Sequence, residues 1–151
     1  MRVALVTGGG SGIGRSAALE LNKIDFTVYV VGRREEELIK TSSLAINNNH
    51  KIIPIKTDIT IGSQVVALFN KIKSDHGRID LLFNNAGMGA PRVPIEDLKE
   101  EDWRKTVDVN LTGSFLCSQQ AIKLMKNQSP QGGRIVNNGS VSAHSPRPDT
   151  I

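Results

Sequence analysis

The amino-acid sequence predicts an α/β protein built on a doubly wound parallel sheet of five strands. Three observations lead to this prediction: short apolar runs alternate with helical patterns, four of the five runs are almost continuously apolar, and a glycine cluster follows the first run. Alternating strands and helices form units with parallel strands, and strands covered on both faces are apolar throughout. We therefore expect ligands to bind at the carboxyl edge of the sheet.

Each predicted strand is a short apolar run bounded by polar residues or glycine. The runs are RVALVT (2–7), TVYVVG (27–32), KIIPIKTD (51–58), IDLLFNNAG (79–87) and GRIVNNGS (133–140). Pro54 lies inside the third run. Because proline has no N–H to donate to a neighbouring strand, we expect the third strand at an edge of the sheet.

Each predicted helix follows a strand and repeats its apolar residues at intervals of three and four. The second helical segment runs over residues 34–49, and residues 96–128 predict one or two helices. The predicted apolar faces are, in chain order, Ile13, Ala17, Leu21 and Ile24; Leu38, Leu44 and Ala45; Val65, Leu68, Phe69 and Ile72; and Leu111, Phe115, Ile122 and Met125. Gly77 suits the C-terminal cap of the third helix.

Length, charge and composition limit the classes of protein to consider. The 151 residues fit one domain, residues 1–151. The chain has 19 Lys and Arg residues and 15 Asp and Glu residues, which gives a net charge of +4. Basic and acidic residues are interleaved, so no nucleic-acid partner is expected. No run is long enough to span a bilayer, and no secretion signal precedes the first strand, so we expect a cytoplasmic protein with no membrane partner. The single cysteine, Cys117, suits a reducing compartment and is expected to be a small packed side chain.

The segment TGGGSGIG (7–14) connects the first strand to the first helix. Glycines in this place let the main chain turn tightly and approach a pyrophosphate, while N–H groups at the start of the helix point toward the anion. The spacing of Gly8, Gly12 and Gly14 is Gly-x-x-x-Gly-x-Gly, which departs from the usual Gly-x-Gly-x-x-Gly fingerprint. The segment predicts a dinucleotide site.

Three further motifs follow along the chain. NNAG (84–87) ends the fourth strand, Asn110 lies within VNLTG (109–113), and GRIVNNGS (133–140) leads into Ser140. With the glycine segment, these motifs make the chain resemble the classical short-chain dehydrogenase/reductase family over essentially its whole length. The resemblance implies a Rossmann-like fold and an NAD(P)-dependent oxidoreductase that acts on small alcohols and ketones. It also implies a homo-oligomer for the complete protein.

The resemblance assigns expected roles to particular residues. The phosphate site would be formed by Gly8, Ser11, Gly12, Ile13 and Gly14; the adenine would contact Asp58 and Ile59; and the ribose side would be lined by Asn85, Ala86 and Gly87. From the residues alone, Asp58 could equally be a carboxylate that stabilises a turn, and Asn84 and Asn85 could be turn formers. No metal site is expected.

The end of the second strand bears on the choice of coenzyme. Members of the family that bind NAD usually carry an acidic residue there, which accepts hydrogen bonds from the ribose 2′-OH. This chain has Gly32 followed by Arg33 and Arg34. Because a guanidinium pairs well with a phosphate, NADP(H) is favoured over NAD(H), with Arg33 as the expected contact. Alternatively, both arginines pair with the acidic run at residues 35–37.

In the family, a serine polarises the substrate oxygen, a tyrosine exchanges the proton, a lysine lowers the pKa of that tyrosine, and an asparagine holds a water relay. Ser140 matches the serine and Asn110 the asparagine. The Tyr-x-x-x-Lys motif would fall beyond Ile151, and the sole tyrosine, Tyr29, lies in the middle of the second strand. We therefore expect the N-terminal portion of a family domain, nearly inactive as it stands. The alternative is a non-catalytic module for dinucleotide binding or subunit interaction.

Four side chains and one strand carry further expectations. Asn138 stands where the family has an apolar residue, so its amide needs hydrogen-bond partners or a strand that is not fully covered. Trp103 and Phe115 are interpreted as contacts within the helical core, and His144 as a solvated loop residue. Without the family's later strands, the fifth strand is an exposed edge beside apolar surface, and the isolated chain is expected to self-associate.

Overall fold

The computed structural model describes residues 1–47 and 49–149 and contains a five-stranded parallel sheet. Its strands are β1 (Arg2–Thr7), β2 (Phe26–Gly32), β3 (Ile52–Lys56), β4 (Leu81–Asn84) and β5 (Arg134–Asn137). The order across the sheet is β3-β2-β1-β4-β5, which confirms the edge position predicted from Pro54. Asn48, in the predicted second helical segment, and Thr150 and Ile151, at the end of the predicted domain, lie outside the described residues.

Five α-helices accompany the sheet in the described part of the chain. They are α1 (Gly12–Lys23), α2 (Glu35–Ser43), α3 (Gly62–His76), α4 (Glu100–Val107) and α5 (Gly113–Asn127). A π-helical segment, Asp108–Thr112, joins α4 to α5. Helix α3 ends at Gly77, whose φ of 69° is left-handed, as its predicted capping role requires. None of these helices is long and apolar enough to cross a membrane.

The core forms one layer on each face of the sheet, as a doubly wound arrangement requires. Successive side chains of a strand point to opposite faces. Val3 and Leu5 of β1 therefore pack in the cluster that contains α3 and α5, whereas Ala4 and Val6 pack in the cluster that contains α1 and α2. The predicted face of α3 is buried in the first cluster, and its residues are Val65, Leu68, Phe69 and Ile72.

The predicted apolar face of α1 is only partly confirmed: Leu21 is partly buried against the core, whereas the two isoleucines are exposed. Ile13 and Ile24 are 64% and 55% exposed, whereas Gly14, Ala18 and Asn22 are buried. Gly14 lies so close to the turn after β1 that a β-carbon there would be 2.3 Å from the carbonyl oxygen of Gly8. Close approach of two backbones decides which side of this helix faces the sheet, so small residues lie inside.

The prediction for α2 is confirmed at Leu38, which is buried, and is wrong at Leu44. The helix ends at Ser43, so Leu44 lies beyond it and is exposed. Ala45, also beyond the end of the helix, is partly buried against the cluster that contains α1 and α2.

The prediction of the buried face of α5 is largely wrong. Leu111, which lies in the π-helical segment, Phe115 and Ile122 are exposed, and Met125 alone of the predicted residues is buried. The buried side of α5 consists of three small residues, Gly113, Cys117 and Ala121, followed by Leu124 and Met125. Small side chains spaced by four residues let α5 pack closely on the core.

Cys117 lies in that buried side and is fully covered. Burial raises the pKa of its thiol to about 12, so the neutral form persists at physiological pH. The prediction of a small packed side chain is confirmed. Trp103, by contrast, is 51% exposed, so its interpretation as a contact within the helical core was wrong.

Strand β5 forms the edge of the sheet opposite β3. Its side chains are mostly exposed, unlike those of β1 and β2. Ile135 of β5 and Ile122 of α5 line one shallow groove beside this edge. An open strand edge next to apolar side chains is a surface that favours pairing with another chain.

We predict that the isolated chain self-associates through this surface. Ile122→Asp should weaken self-association about tenfold, because an apolar contact would have to bury the new carboxylate. Light scattering over a concentration series measures the effect. Ile39→Asp is the matched control, since Ile39 is a similarly exposed isoleucine on α2, away from the groove. An unmodified chain that is monomeric at all concentrations would contradict the prediction.

Candidate functional site

A cleft opens at the carboxyl edge of the sheet, beside the ends of β1 and β4. The chain winds in opposite directions on either side of this point, which is where doubly wound sheets bind ligands. The cleft consists of two adjoining cavities of about 390 Å³ and about 1090 Å³. The first cavity borders the segments that follow β1, β2 and β3, and the second borders α5 and the segment after β5. Both are lined by Asn85, Ala86, Gly87 and Met88.

The turn between β1 and α1 depends on its glycines. Gly8 and Gly12 have φ values of +66° and +52°, which glycine adopts at little cost. A β-carbon on Gly14 would lie 2.3 Å from the carbonyl oxygen of Gly8 and 2.5 Å from Nδ2 of Asn85. Of the predicted phosphate-site residues, Gly8 and Ser11 line the first cavity, whereas Gly12, Ile13 and Gly14 form the start of α1 and do not line it.

Thr7, whose role was not predicted from the sequence, connects this turn to the end of β4 by hydrogen bonds. Its Oγ1 accepts hydrogen bonds from the N–H groups of Asn85 and Ala86, each at 3.0 Å. Nδ2 of Asn85 in turn donates to the carbonyl oxygen of Thr7 at 3.0 Å. These bonds hold the ends of the two central strands side by side. A hydroxyl residue that ends an otherwise apolar strand was the available signal.

The basic residues after β2 also border the first cavity. Arg33 and Arg34 both line it, and Nη2 of Arg34 donates a 3.1 Å hydrogen bond to Oγ of Ser11. Arg33 remains the contact expected from the sequence, and Arg34 is the arginine that forms a hydrogen bond with the glycine turn. Glu37, in the acidic run, forms its ion pair with Arg15 at 2.6 Å among the described residues.

Asp58 and Ile59 follow β3 and line the same cavity. Oδ1 of Asp58 accepts hydrogen bonds from the N–H of Thr60 at 3.0 Å and from its hydroxyl at 2.7 Å. The carboxylate therefore does stabilise a turn, in addition to bordering the cavity. The Ile59 side chain is buried against Gly113, where a β-carbon would lie 2.6 Å from its Cδ1.

Asn110 lies in the π-helical segment and lines the second cavity. Its Oδ1 accepts a hydrogen bond from the N–H of Met88, and its Nδ2 donates to the carbonyl oxygen of Met88, both at 2.8 Å. π-Helical turns are frequent at functional sites. Here the two bonds hold the loop after β4 against the helix, so that Asn110 and Gly87 lie together.

Ser140 lies beyond the end of β5 and lines the second cavity with Asn110. Its Oγ accepts a 3.1 Å hydrogen bond from the N–H of Ser142, which caps the 3₁₀ turn Val141–Ala143. That bond uses an oxygen lone pair, so the hydroxyl proton can be donated to another group. The structure therefore brings the two predicted catalytic residues to one cavity.

Amide side chains connect the ends of β4 and β5. Nδ2 of Asn84 donates to Oδ1 of Asn137 at 2.9 Å and to Oγ of Ser118 at 3.0 Å. Asn138 is exposed, and its Nδ2 donates to Oδ1 of Asn85 at 3.1 Å. The Asn138 amide thus has a hydrogen-bond partner and is also exposed to solvent. Placing an amide at this position therefore costs little desolvation energy.

Two aromatic side chains differ in their relation to the cleft. Tyr29 is fully buried in β2, and its hydroxyl donates a 2.5 Å hydrogen bond to Oδ2 of Asp75. Burial, reinforced by the hydrogen bond to Asp75, raises the pKa of Tyr29 well above its ordinary value. The predicted packing role of Tyr29 in the sheet is confirmed. Phe115 is 59% exposed and lines the second cavity, so its interpretation as a helical core contact was wrong. His144 is exposed, as expected.

Comparison with known proteins agrees with this architecture. Residues 2–151 match the family described as short chain dehydrogenase. The chain belongs to this family. Among curated members, the 3β-hydroxysteroid dehydrogenase of Mediterraneibacter gnavus is 37% identical over 141 residues, which cover 93% of this chain and 50% of that protein. The chain spans about half the length of the curated relatives it matches.

Two solved structures illustrate the structural similarity. A metagenomic short-chain oxidoreductase in complex with NADP superposes with a TM-score of 0.91 at 27% identity, over 99% of this chain and 66% of that one. The 3-ketoacyl-(acyl-carrier-protein) reductase of Brucella melitensis, complexed with NADH, superposes with a TM-score of 0.90 at 30% identity. That match covers 98% of this chain and 60% of the reductase. The Rossmann-like fold predicted from the sequence is confirmed.

We predict that Gly14→Ala lowers the free energy of unfolding by about 1 to 3 kcal/mol, because the new methyl group would overlap main-chain atoms of the turn. Urea denaturation measures the change. Gly62→Ala is the matched control, since Gly62 also lies in the first turn of a helix but a β-carbon there meets no atom within 4 Å. Equal losses in the two variants would show that the tight contact at Gly14 does not matter for stability.

Proposed function

We propose that the protein is an NAD(P)-dependent oxidoreductase that transfers hydride between a nicotinamide coenzyme and a small alcohol or ketone. The observation that best supports this proposal is the continuity of the cleft. The glycine turn borders the first cavity, Ser140 and Asn110 border the second, and the NNAG segment lines both. An elongated ligand can therefore contact the turn at one end and the two polar side chains at the other.

The residues of the first cavity fit a dinucleotide. A β-carbon on Gly8 would lie 2.9 Å from Cα of Ala86, so only a bare main chain can occupy this part of the turn and face a phosphate. Asp58 and Ile59 offer a polar and an apolar group for the adenosine, and Asn85 and Gly87 border the ribose side. When bound, the coenzyme supplies or accepts the hydride.

NADP(H) is the proposed coenzyme. Gly32 has no carboxylate to accept hydrogen bonds from a ribose 2′-OH, and Arg33 and Arg34 bring two guanidinium groups to the cavity. The bond from Arg34 to Ser11 joins one of these groups to the predicted phosphate site. Relatives with NADP and with NADH are both known, so the preference rests on these charges.

Ser140 and Asn110 are the proposed catalytic residues of this chain. The Ser140 hydroxyl donates a hydrogen bond to the substrate oxygen, on which negative charge develops during hydride transfer. Asn110 holds the main chain at Met88 and corresponds to the family asparagine that orders a water relay. The 151 residues contain no Tyr-x-x-x-Lys sequence, and we propose that they are nearly inactive without one.

Titration with NADPH and NADH tests the coenzyme proposal. NADPH should bind about tenfold more tightly at low ionic strength, because its 2′-phosphate pairs with a guanidinium group. Arg34→Ala should remove most of this difference while changing NADH binding little. Lys23→Ala is the control, since Lys23 pairs with Glu20 on α1 and does not line the cavity. Tighter binding of NADH to the unmodified chain would overturn the preference.

A turnover assay tests the catalytic proposal. The 151-residue chain should reduce ketones about 10² to 10⁴ times more slowly than a family member that has the tyrosine and lysine, because no positioned side chain supplies the proton. Coenzyme oxidation measures the rate. Family-like rates would overturn the proposal. Coenzyme binding without turnover, even in a longer product of the same reading frame, would support the alternative of a non-catalytic binding module.

We also propose a homo-oligomer for the complete protein and a cytoplasmic location. The exposed apolar residues Phe115 and Ile122 on α5 support the first proposal, and the self-association test above bears on it. A single buried cysteine, Cys117, supports the second, since it forms no disulfide within the chain. Cell fractionation that finds the protein outside the cytoplasm would overturn the second proposal.

A further inference from the structure

Arg15, the residue after the last glycine of the turn, connects three parts of the structure. Its Nη2 lies 2.6 Å from Oε2 of Glu37 and also donates to the carbonyl oxygen of Gly10, while its Nε donates to Oγ1 of Thr41 at 3.0 Å. The Thr41 hydroxyl is itself 2.9 Å from the carbonyl oxygen of Gly9. Arg15 therefore joins α1, α2 and the glycine turn, although it does not line the first cavity.

Glu37 lines the first cavity beside Arg33 and Arg34. Its hydrogen bond with Arg15, aided by the charges of Lys40, Arg15 and Arg34, holds the pKa of the carboxyl below its ordinary value despite some desolvation. Glu37 is therefore ionised at neutral pH. An anionic side chain in a cavity proposed for a phosphorylated ribose is unfavourable unless a cation compensates for it.

We propose that Arg15 is a positioning residue for coenzyme specificity, which holds Glu37 on the side of α1 and compensates its charge so that the cavity accepts a 2′-phosphate. This inference rests on the proposed function, because it concerns the same dinucleotide site. Arg15 acts through Glu37 and need not touch the nucleotide.

Loss of Arg15 should affect the binding of nucleotides with a 2′-phosphate differently from the binding of nucleotides with a free 2′-hydroxyl. A free Glu37 carboxylate would repel a 2′-phosphate, but it could accept a hydrogen bond from an unmodified 2′-hydroxyl. Simple loosening of the glycine turn would instead weaken the binding of both nucleotides equally, since both place phosphate groups there. The ratio of the two affinities therefore separates a charge effect from a structural one.

Adenosine 2′,5′-bisphosphate and adenosine 5′-monophosphate are suitable probes, because they differ only in the 2′-phosphate. We expect Arg15→Met to lower the preference of the full 151-residue chain for the bisphosphate about fivefold at low ionic strength, measured by isothermal titration calorimetry. Arg15→Met with Glu37→Gln should restore the preference to within about twofold of the original. Lys23→Met, on the same helix and outside the cavity, should leave it unchanged.

Equal weakening of both probes by Arg15→Met, or no restoration in the double variant, would overturn the proposal and leave the proposed function intact. An unmodified chain that binds neither probe would overturn the proposed function and this inference with it. If Arg15→Met does not fold, Glu37→Gln alone decides. Tighter bisphosphate binding, by about twofold or more, is expected because the charge of Arg15 is then unopposed, and unchanged binding overturns the proposal.

Discussion

Close contact between the turn after β1 and the end of β4 is the constraint on which the cleft depends. Thr7 accepts two main-chain hydrogen bonds from the NNAG segment, and Gly14 lies directly against Gly8. Because Gly14 has no side chain, the first turn of α1 can pack directly against the turn after β1. Arg15 follows one residue later and is thereby brought within reach of α2.

The same kind of close approach separates the buried from the exposed residues of two helices. Gly14 and Ala18 face inward on α1, and Cys117 and Ala121 face inward on α5. Small side chains let a helix pack tightly on its neighbours, and dispersion and apolar burial over many contacts favour this arrangement. Some larger apolar residues lie at the surface instead, namely Ile13 on α1 and Phe115 and Ile122 on α5, so α5 has an exposed apolar side.

The cleft differs in electrostatics between its two cavities. Arg33, Arg34 and Glu37 border the first, where charge can select among phosphorylated ligands, with Arg15 compensating Glu37 from outside the cavity. The second cavity is also lined by two arginines, Arg92 and Arg147, but its predicted catalytic residues, Asn110 and Ser140, are uncharged groups that donate and accept hydrogen bonds. Hydrogen-bonding groups of this kind suit the proposed role of polarising a carbonyl oxygen.

Local sequence is enough to predict the alternation of strands and helices, the edge strand marked by Pro54, the glycine turn and the order of the motifs, because each depends on residues close together in the chain. Only the three-dimensional packing establishes the buried faces of α1 and α5, the role of Thr7, and the hydrogen bonds of Arg34 and Arg15. These depend on contacts between distant residues: Thr7 and Asn85 are 78 positions apart, and Arg34 and Ser11 are 23 apart. Apolar periodicity measures only the side chains along one helix, whereas burial depends on how closely two backbones can approach.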